Sequence, residues 1–225
     1  MAELFVFFQV FFLAMMSPGP NYALLLSASR RFTRTHCTFV VLGITLGEFF
    51  WASCALFGVS IFIVQWPWLR FVLLSTGALF LGFLGLMSLI SAWRQHQERK
   101  ATTEQEMRKH EADLIGQKAL NSKRKALLFG LVYMLLNGKA ALFWISLTQV
   151  ILPADLRLQQ RLIVVFSATA LSFLWHFSLA RLMTSARARR LFLRLGLWLD
   201  ALLGTLFLIL ALLGLYSGLS PLFAA

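Results

Sequence analysis

Six apolar stretches, each about as long as a membrane is thick, dominate this sequence. The hydrocarbon core of a bilayer is about 30 Å deep, and an α-helix needs about 20 apolar residues to cross it. The stretches are Leu4–Ser27, Cys37–Val64, Phe71–Trp93, Ala126–Leu152, Leu162–Leu182 and Leu195–Tyr216. Since a backbone in lipid must satisfy its own hydrogen bonds, they predict an all-α, polytopic membrane protein with six transmembrane helices.

The charge content disfavours the common soluble classes. Charged residues make up 13% of the chain and hydrophobic residues 59%, whereas a soluble domain is about one quarter charged and about half apolar. The net charge of +12 would by itself suggest a nucleic-acid partner. Its bases lie mainly in loops, however, where they orient a membrane protein, so we expect no nucleic acid. Cys37 and Cys54 form no CxxC pair, and we expect neither a metal nor a cofactor.

The basic residues predict which loops face the cytoplasm. Of the 21 Lys and Arg residues, 17 fall in the connections that follow spans 1, 3 and 5, when Arg181 at the very end of span 5 is counted with its connection, and only three fall in the other connections. Basic loops stay cytoplasmic, so both termini are expected outside. The long connection, residues 93–125, becomes a cytoplasmic linker whose bases enforce topology, and a regulatory or partner-binding role is the alternative.

This linker divides one membrane domain into two halves, residues 1–92 and residues 126–225. Each half has three spans, so the halves enter the membrane from opposite sides, and we predict two inverted three-helix repeats. Gly77-Ala-Leu-Phe-Leu in span 3 recurs as Gly204-Thr-Leu-Phe-Leu in span 6. Chance in a sequence rich in Leu and Phe explains that recurrence equally well.

Helix-breaking residues near the midpoints of spans 1 and 4 point to a binding site. Proline removes a backbone donor and clashes with the preceding turn, and glycine adds backbone freedom. A single proline can be a harmless kink, but interruptions at matching positions of two inverted halves mark the substrate site of many transporters. The residues predicted to bind substrate here are Pro18, Gly19, Pro20 and Asn21 in span 1 and Asn137, Gly138 and Lys139 in span 4.

Four titratable side chains, Glu48, Lys139, His176 and Asp200, fall inside spans. A charge at this depth costs at least about 2.5–3.5 kcal/mol, so it is kept for function or paired. Glu48 is predicted to bind substrate and to carry the coupled proton, and a structural ion pair with Lys139 is the alternative. Asp200 is the second proton-coupling candidate, with pairing to cytoplasmic arginines as its alternative. His176 is expected to be a hydrogen-bonded helix contact rather than a proton relay.

Four motifs resemble those of the LysE/RhtB family of bacterial amino-acid exporters. Met16-Ser-Pro-Gly-Pro-Asn21 looks like the family's span 1 signature, and Leu42-Gly-Ile-Thr-Leu-Gly-Glu48 like its next motif. Gly77-Ala-Leu-Phe-Leu-Gly-Phe-Leu-Gly85 is similar to its span 3 motif, and Asn137-Gly-Lys-Ala140 to its Asn-Pro-Lys-Ala. The chain departs from the family where Gly138 replaces that proline and where Glu48 replaces the usual aspartate.

The resemblance implies a proton-driven antiporter that exports small amino acids from the cytoplasm. It also implies a homodimer, surrounded by lipid, in the bacterial inner membrane. Few acids lie near the predicted site, which favours a neutral substrate such as threonine or homoserine over a dibasic one. The alternatives are a non-transport membrane protein, such as an assembly factor or a lipid-modifying enzyme, and a channel. We expect no enzyme, because no nucleophile lies beside a base and no metal ligands cluster.

Overall fold

The computed structural model is entirely helical over the part of the chain that it describes, residues 2–17, 19–58, 66–97, 122–153 and 155–223. The helices are α1 (Ala2–Met16), α2 (Pro20–Arg31), α3 (Arg34–Ser53), α4 (Pro67–Gln97), α5 (Lys123–Leu135), α6 (Gly138–Ile151), α7 (Leu158–Leu182) and α8 (Ala186–Phe223). A π-helical turn, Cys54–Gly58, continues α3. The all-α class predicted from the sequence is therefore confirmed.

Four helical runs are long and apolar enough to cross a membrane singly, and two bent pairs make up the rest. The single runs are Arg34–Gly58, Phe71–Arg94, Leu158–Leu182 and Trp198–Ser217. α1 and α2 meet at 49°, and α5 and α6 meet at 58°. When each bent pair counts as one span, the total is the predicted six, and the two bent spans are the two that carry the predicted breaks.

The helices do not end where the apolar stretches end. α3 begins at Arg34 and α8 runs over Ala186–Phe223, well beyond the predicted Leu195–Tyr216. A helix continues for as long as its backbone hydrogen bonds are made, whether or not its side chains are apolar. Hydropathy marks only the part of the helix that lipid surrounds. Pro18, residues 59–65 of the predicted second span and residues 98–121 of the predicted linker lie outside the described residues.

Glycines let the helices approach closely at two crossings. A Cβ on Gly43 of α3 would collide with the Leu127 carbonyl of α5, and one on Gly130 of α5 with the Val40 carbonyl of α3. At the crossing of α4 and α8, a Cβ on Gly85 would lie 2.8 Å from the Gly204 carbonyl oxygen, and the reverse distance is also 2.8 Å. The residue opposite Gly204 at this crossing is therefore Gly85.

The core lies in two apolar clusters, and the outer surface is apolar as well. One cluster surrounds Phe11 and Trp144, and the other surrounds Ile44 and Met134. Large apolar side chains also project outward from the helices, among them Leu46, Phe83, Phe166, Leu174 and Leu212. An apolar exterior over an apolar core is what a protein surrounded by lipid requires.

Candidate functional site

Both breaks are fixed by tryptophans from neighbouring helices. A helix that ends inside a membrane leaves carbonyl groups without intrahelical partners. At the end of α1 the Met15 carbonyl accepts a hydrogen bond from Trp175 Nε1 of α7 at 2.9 Å. At the end of α5 the Met134 carbonyl, which also accepts from the Asn137 backbone N–H at 3.2 Å, accepts a hydrogen bond from Trp51 Nε1 of α3 at 3.1 Å. The breaks are therefore built into the packing, with hydrogen-bond donors supplied for them.

Each break is followed directly by the first turn of a new helix. Gly19 is the extended N-cap residue of α2, and Pro20 is the first residue of that helix, a position where its missing N–H costs nothing. Asn137 caps α6 through its Oδ1, which accepts a hydrogen bond from the Ala140 backbone N–H at 3.2 Å. The N-terminus of a helix carries partial positive charge, so both breaks present that charge to their surroundings.

A cavity lies between the two apolar clusters, at the level of the breaks. The empty space between its walls, mouth included, is about 860 Å³. All eight helices contribute to its lining. The predicted site residues found in this lining are Gly19, Asn21, Glu48, Asn137 and Lys139. The first and second halves of the chain thus share one site.

Asn21, Glu48 and His176 line one side of the cavity, and Ser172 joins them in one polar group. Asn21 Nδ2 lies 3.4 Å from His176 Nε2, and His176 Nδ1 lies 3.1 Å from Ser172 Oγ. Ser172 also hydrogen-bonds the Glu48 carboxylate. Two acceptors, Asn21 Oδ1 and Glu48 Oε2, are buried without a hydrogen-bond partner among the described residues. Buried acceptors left in this way are costly, which points to a ligand that donates hydrogen bonds.

A second polar group surrounds Lys139 and Asp200. The Asp200 side chain is 3% exposed, and its carboxylate attracts the Lys139 ammonium. Ser17 Oγ, in the break of span 1, donates to Asp200 Oδ1, and Ser91 Oγ donates to Oδ2 at 3.4 Å. No ion pair joins Lys139 to Glu48 among the described residues, and the carboxylate that acts on Lys139 is that of Asp200.

Of the remaining predicted residues, Gly138 and Asp200 lie at the edges of this site. Gly138 is the first residue of α6, but a Cβ built on it would meet no atom of the described residues within 4 Å. Asp200 reaches the cavity wall through Ser17, which does line the cavity. Pro18 lies outside the described residues.

Sequence reasoning missed Ser17, Ser172 and the two tryptophans. Ser172 and His176 are four residues apart, a spacing that places them on one helix face. That spacing was readable, but nothing along the chain indicated that this face contacts Glu48. The tryptophans carried no signal at all, because Trp in an apolar span is ordinarily a packing residue.

The rest of the cavity wall is apolar and aromatic. Phe11, Leu84, Phe143, Trp144 and Phe207 contribute to it. Among the residues that the structure describes, no three His, Cys, Asp or Glu side chains come close enough to hold a metal ion. The arrangement therefore offers a cation, two unpaired acceptors and two helix N-termini around an apolar space, which suits a small zwitterion.

Comparison with known proteins matches the chain to one family model and to several relatives. The family model described as LysE type translocator matches residues 12–218. The chain is 26% identical to a threonine efflux protein of Salmonella typhi over 199 residues, which cover 88% of this chain and 90% of the relative. Identity and coverage are the same for a threonine efflux protein of Escherichia coli (strain K12). An uncharacterized membrane protein of Haemophilus influenzae is 24% identical, over 92% of each chain. No solved structure matches the chain.

Proposed function

The chain belongs to the family of LysE type translocators, and from this premise we propose that it exports a neutral amino acid from the cytoplasm in exchange for protons. The observation that carries the proposal is the cavity at the two breaks, where Lys139 and two unpaired acceptors line the same space. Relatives named threonine efflux proteins support an amino acid as the substrate. Threonine or homoserine is the substrate we favour.

The substrate carboxylate is proposed to bind at Lys139. This side chain lies in the first turn of α6, so its positive charge adds to that of the helix N-terminus. The substrate ammonium is proposed to bind Glu48 Oε2 and Asn21 Oδ1, the two buried acceptors that lack partners among the described residues. Gly19, Pro20, Asn137 and Gly138 shape the backbone around these groups, and Pro18 is proposed to act with them.

The apolar wall supports a neutral side chain on the substrate. A lysine substrate would bring a second ammonium group and would need a second acid to receive it. Glu48 is the only acid among the described residues that line the cavity. We therefore propose that dibasic amino acids bind more weakly than neutral ones.

Glu48 and Asp200 are the proposed proton-coupling residues. A proton and the substrate ammonium compete for Glu48, which is the simplest form of antiport, because only one of them can occupy the carboxylate at a time. Asp200 attracts Lys139 in this structure. A proton on Asp200 would weaken that attraction and free Lys139 for the substrate carboxylate.

Flux into proteoliposomes tests the proposal. Amino-acid transport should saturate with concentration and accelerate under a pH gradient, as a transporter requires. A non-saturating conductance would indicate a channel, and no flux at all would favour the non-transport alternative.

Glu48→Gln is the decisive variant, because it keeps the side-chain shape and removes the charge. A hydrogen bond to a charged group contributes about 1.5–3 kcal/mol, so proton-driven export should fall roughly tenfold or more. Glu48→Asp, which restores the family's usual residue, should retain measurable export. The double variant Glu48→Gln with Lys139→Met is the control for a purely structural ion pair. Recovered, fully proton-coupled export in that double variant would overturn the role of Glu48.

A further inference from the structure

The His176 ring is held in one tautomer by the backbone. Its side chain is 2% exposed, and Nδ1 lies 3.0 Å from the carbonyl oxygen of Ser172 one helical turn earlier. A carbonyl oxygen can only accept a hydrogen bond, so Nδ1 carries the proton. A neutral imidazole has one N–H, which leaves Nε2 as a bare acceptor.

That acceptor orients the Asn21 amide. The two ends of an Asn side chain have nearly the same shape, so hydrogen bonding decides which end points where. Nε2 of His176 lies 3.4 Å from Asn21 Nδ2, and a bare nitrogen accepts only from the NH₂ end. The oxygen end is thereby turned the other way, and Asn21 Oδ1 is the buried acceptor without a partner among the described residues.

The proton on Nδ1 of His176 also determines where the Ser172 hydroxyl can donate. Nδ1–H of His176 reaches Ser172 Oγ at 3.1 Å as well as the carbonyl oxygen. Because the shared proton comes from the ring, the hydroxyl proton of Ser172 remains available for the Glu48 carboxylate, to which Ser172 bonds. Glu48 Oε2 is then left as the second unpaired acceptor among the described residues.

We propose that His176 is a positioning residue that sets the ammonium subsite of the cavity. It holds the Asn21 amide with Oδ1 toward the ligand and, through Ser172, leaves one Glu48 oxygen open. The ligand that such a pair of acceptors recognises is a primary ammonium group. This inference rests on the proposed function for the identity of that ligand, but the orientation of the side chains does not depend on it.

Two variants separate positioning from a simple helix contact. His176→Gln places an amide oxygen near the position of Nε2 and can still accept from Asn21. His176→Asn reproduces the Nδ1 end and keeps the contact with Ser172 but loses the acceptor. Positioning predicts that the Gln variant retains the wild-type KM, while the Asn variant raises KM roughly tenfold with an unchanged maximal rate. A helix contact alone predicts the opposite order, and that order would overturn the proposal.

The effect should act through Asn21. In an Asn21→Ala background, His176→Asn should cause no further rise in KM, because the amide that it orients has already been removed. Additive rises in KM would show that His176 acts on the substrate by another route, and would overturn the positioning role.

The tautomer can be measured without any substrate. Nitrogen NMR of the ¹⁵N-histidine-labelled protein in lipid, assigned with His176→Gln, should show the proton on Nδ1 of His176. A proton on Nε2 would overturn the inference whatever the transport assays give. If instead the tautomer is as expected but wild-type proteoliposomes move no amino acid, the proposed function fails while the positioning of Asn21 stands.

Discussion

Asn21 and Lys139 hold the same position in the two broken spans, yet their chemistry differs. Each is the second residue of the helix that follows its break. Glu48 and Ser172 also lie equally far from the first residues of α3 and α7, and they bond to each other. A zwitterion has unlike ends, so a site that binds it needs unlike residues at otherwise equivalent positions.

Gly138 should tolerate the proline that the LysE/RhtB family usually has there. It is the first residue of α6, the position that favours proline, and a Cβ there meets no atom within 4 Å in the described part of the chain. Gly138→Pro removes one backbone hydrogen bond, from Gly138 N to Leu136 O at 3.0 Å. It also reduces the conformational freedom of the unfolded chain, which stabilises the folded protein. The lost hydrogen bond and this gain oppose each other, and each is about 1 kcal/mol or less. Thermal unfolding in detergent should shift by only a few degrees, and aggregation of the variant would show that the turn cannot accept the ring.

At the scale of the helices, the two breaks are supported in the same way. Trp51 of α3 donates to Met134 at one break, and Trp175 of α7 donates to Met15 at the other. The two tryptophans lie equally far from the starts of their helices at Arg34 and Leu158. Gly85 and Gly204 meet at the crossing of α4 and α8. These correspondences support our proposal that residues 1–92 and 126–225 are inverted three-helix repeats.

The crossing of α3 and α5 should not accept a single methyl group at Gly43. Alanine normally favours a helix over glycine, but here the Cβ would collide with the backbone of α5. Overpacking of this kind costs about 1–3 kcal/mol or more, so Gly43→Ala should lower the unfolding temperature and the yield. Gly58→Ala is the matched control, because no atom of the described residues lies within 4 Å of a Cβ built there. Equal stability of the two variants would mean that the helices are not in close contact.

The break in span 1 should be necessary for transport but not for insertion. Replacing both Pro18 and Pro20 with Ala favours a continuous helix, since alanine is the best helix former and proline costs about 3 kcal/mol inside one. Such a helix could not bend by 49° between α1 and α2, so Gly19 and Asn21 would be displaced. Export should be lost while the protein still reaches the membrane fraction. Pro67→Ala, at the first residue of α4, is the control, and unchanged export by the double variant would show that the break is not the site.

For the whole molecule, the apolar exterior and the six spans define a multi-pass membrane protein. Its location in the bacterial inner membrane and its assembly as a homodimer, with lipid around it, are proposals drawn from the family resemblance. Orientation is a proposal as well, and it rests on the 17 basic residues that share one side. Export as the transport direction depends on that orientation.

Fusions to alkaline phosphatase test the orientation directly. Phosphatase is active only outside the cytoplasm, so a fusion at Ala225 should be active and one at Glu104, in the predicted linker, inactive. Sandwich fusions of phosphatase after Met1 test the N-terminus in the same way and should also be active. The reverse pattern would invert both the topology and the assigned direction of transport.

The sequence by itself determined the fold class, the number of spans and the position of both breaks. These properties follow from local chemistry, because apolar length dictates a transmembrane helix and Pro, Gly and Asn interrupt it wherever they fall. The family motifs likewise contain Asn21, Glu48 and Lys139, which all line the cavity.

Only the tertiary structure decided which of these residues meet. Glu48 was the ion-pair partner that the sequence suggested for Lys139, but no ion pair joins these two among the described residues, and the carboxylate that acts electrostatically on Lys139 is that of Asp200. Ser172, His176 and the two supporting tryptophans acquired their roles from contacts between helices far apart in the chain. The position of a residue along a transmembrane helix indicates its depth in the membrane. The face that a helix turns toward its neighbours depends on the packing of the whole bundle, so it cannot be predicted from one segment of the sequence.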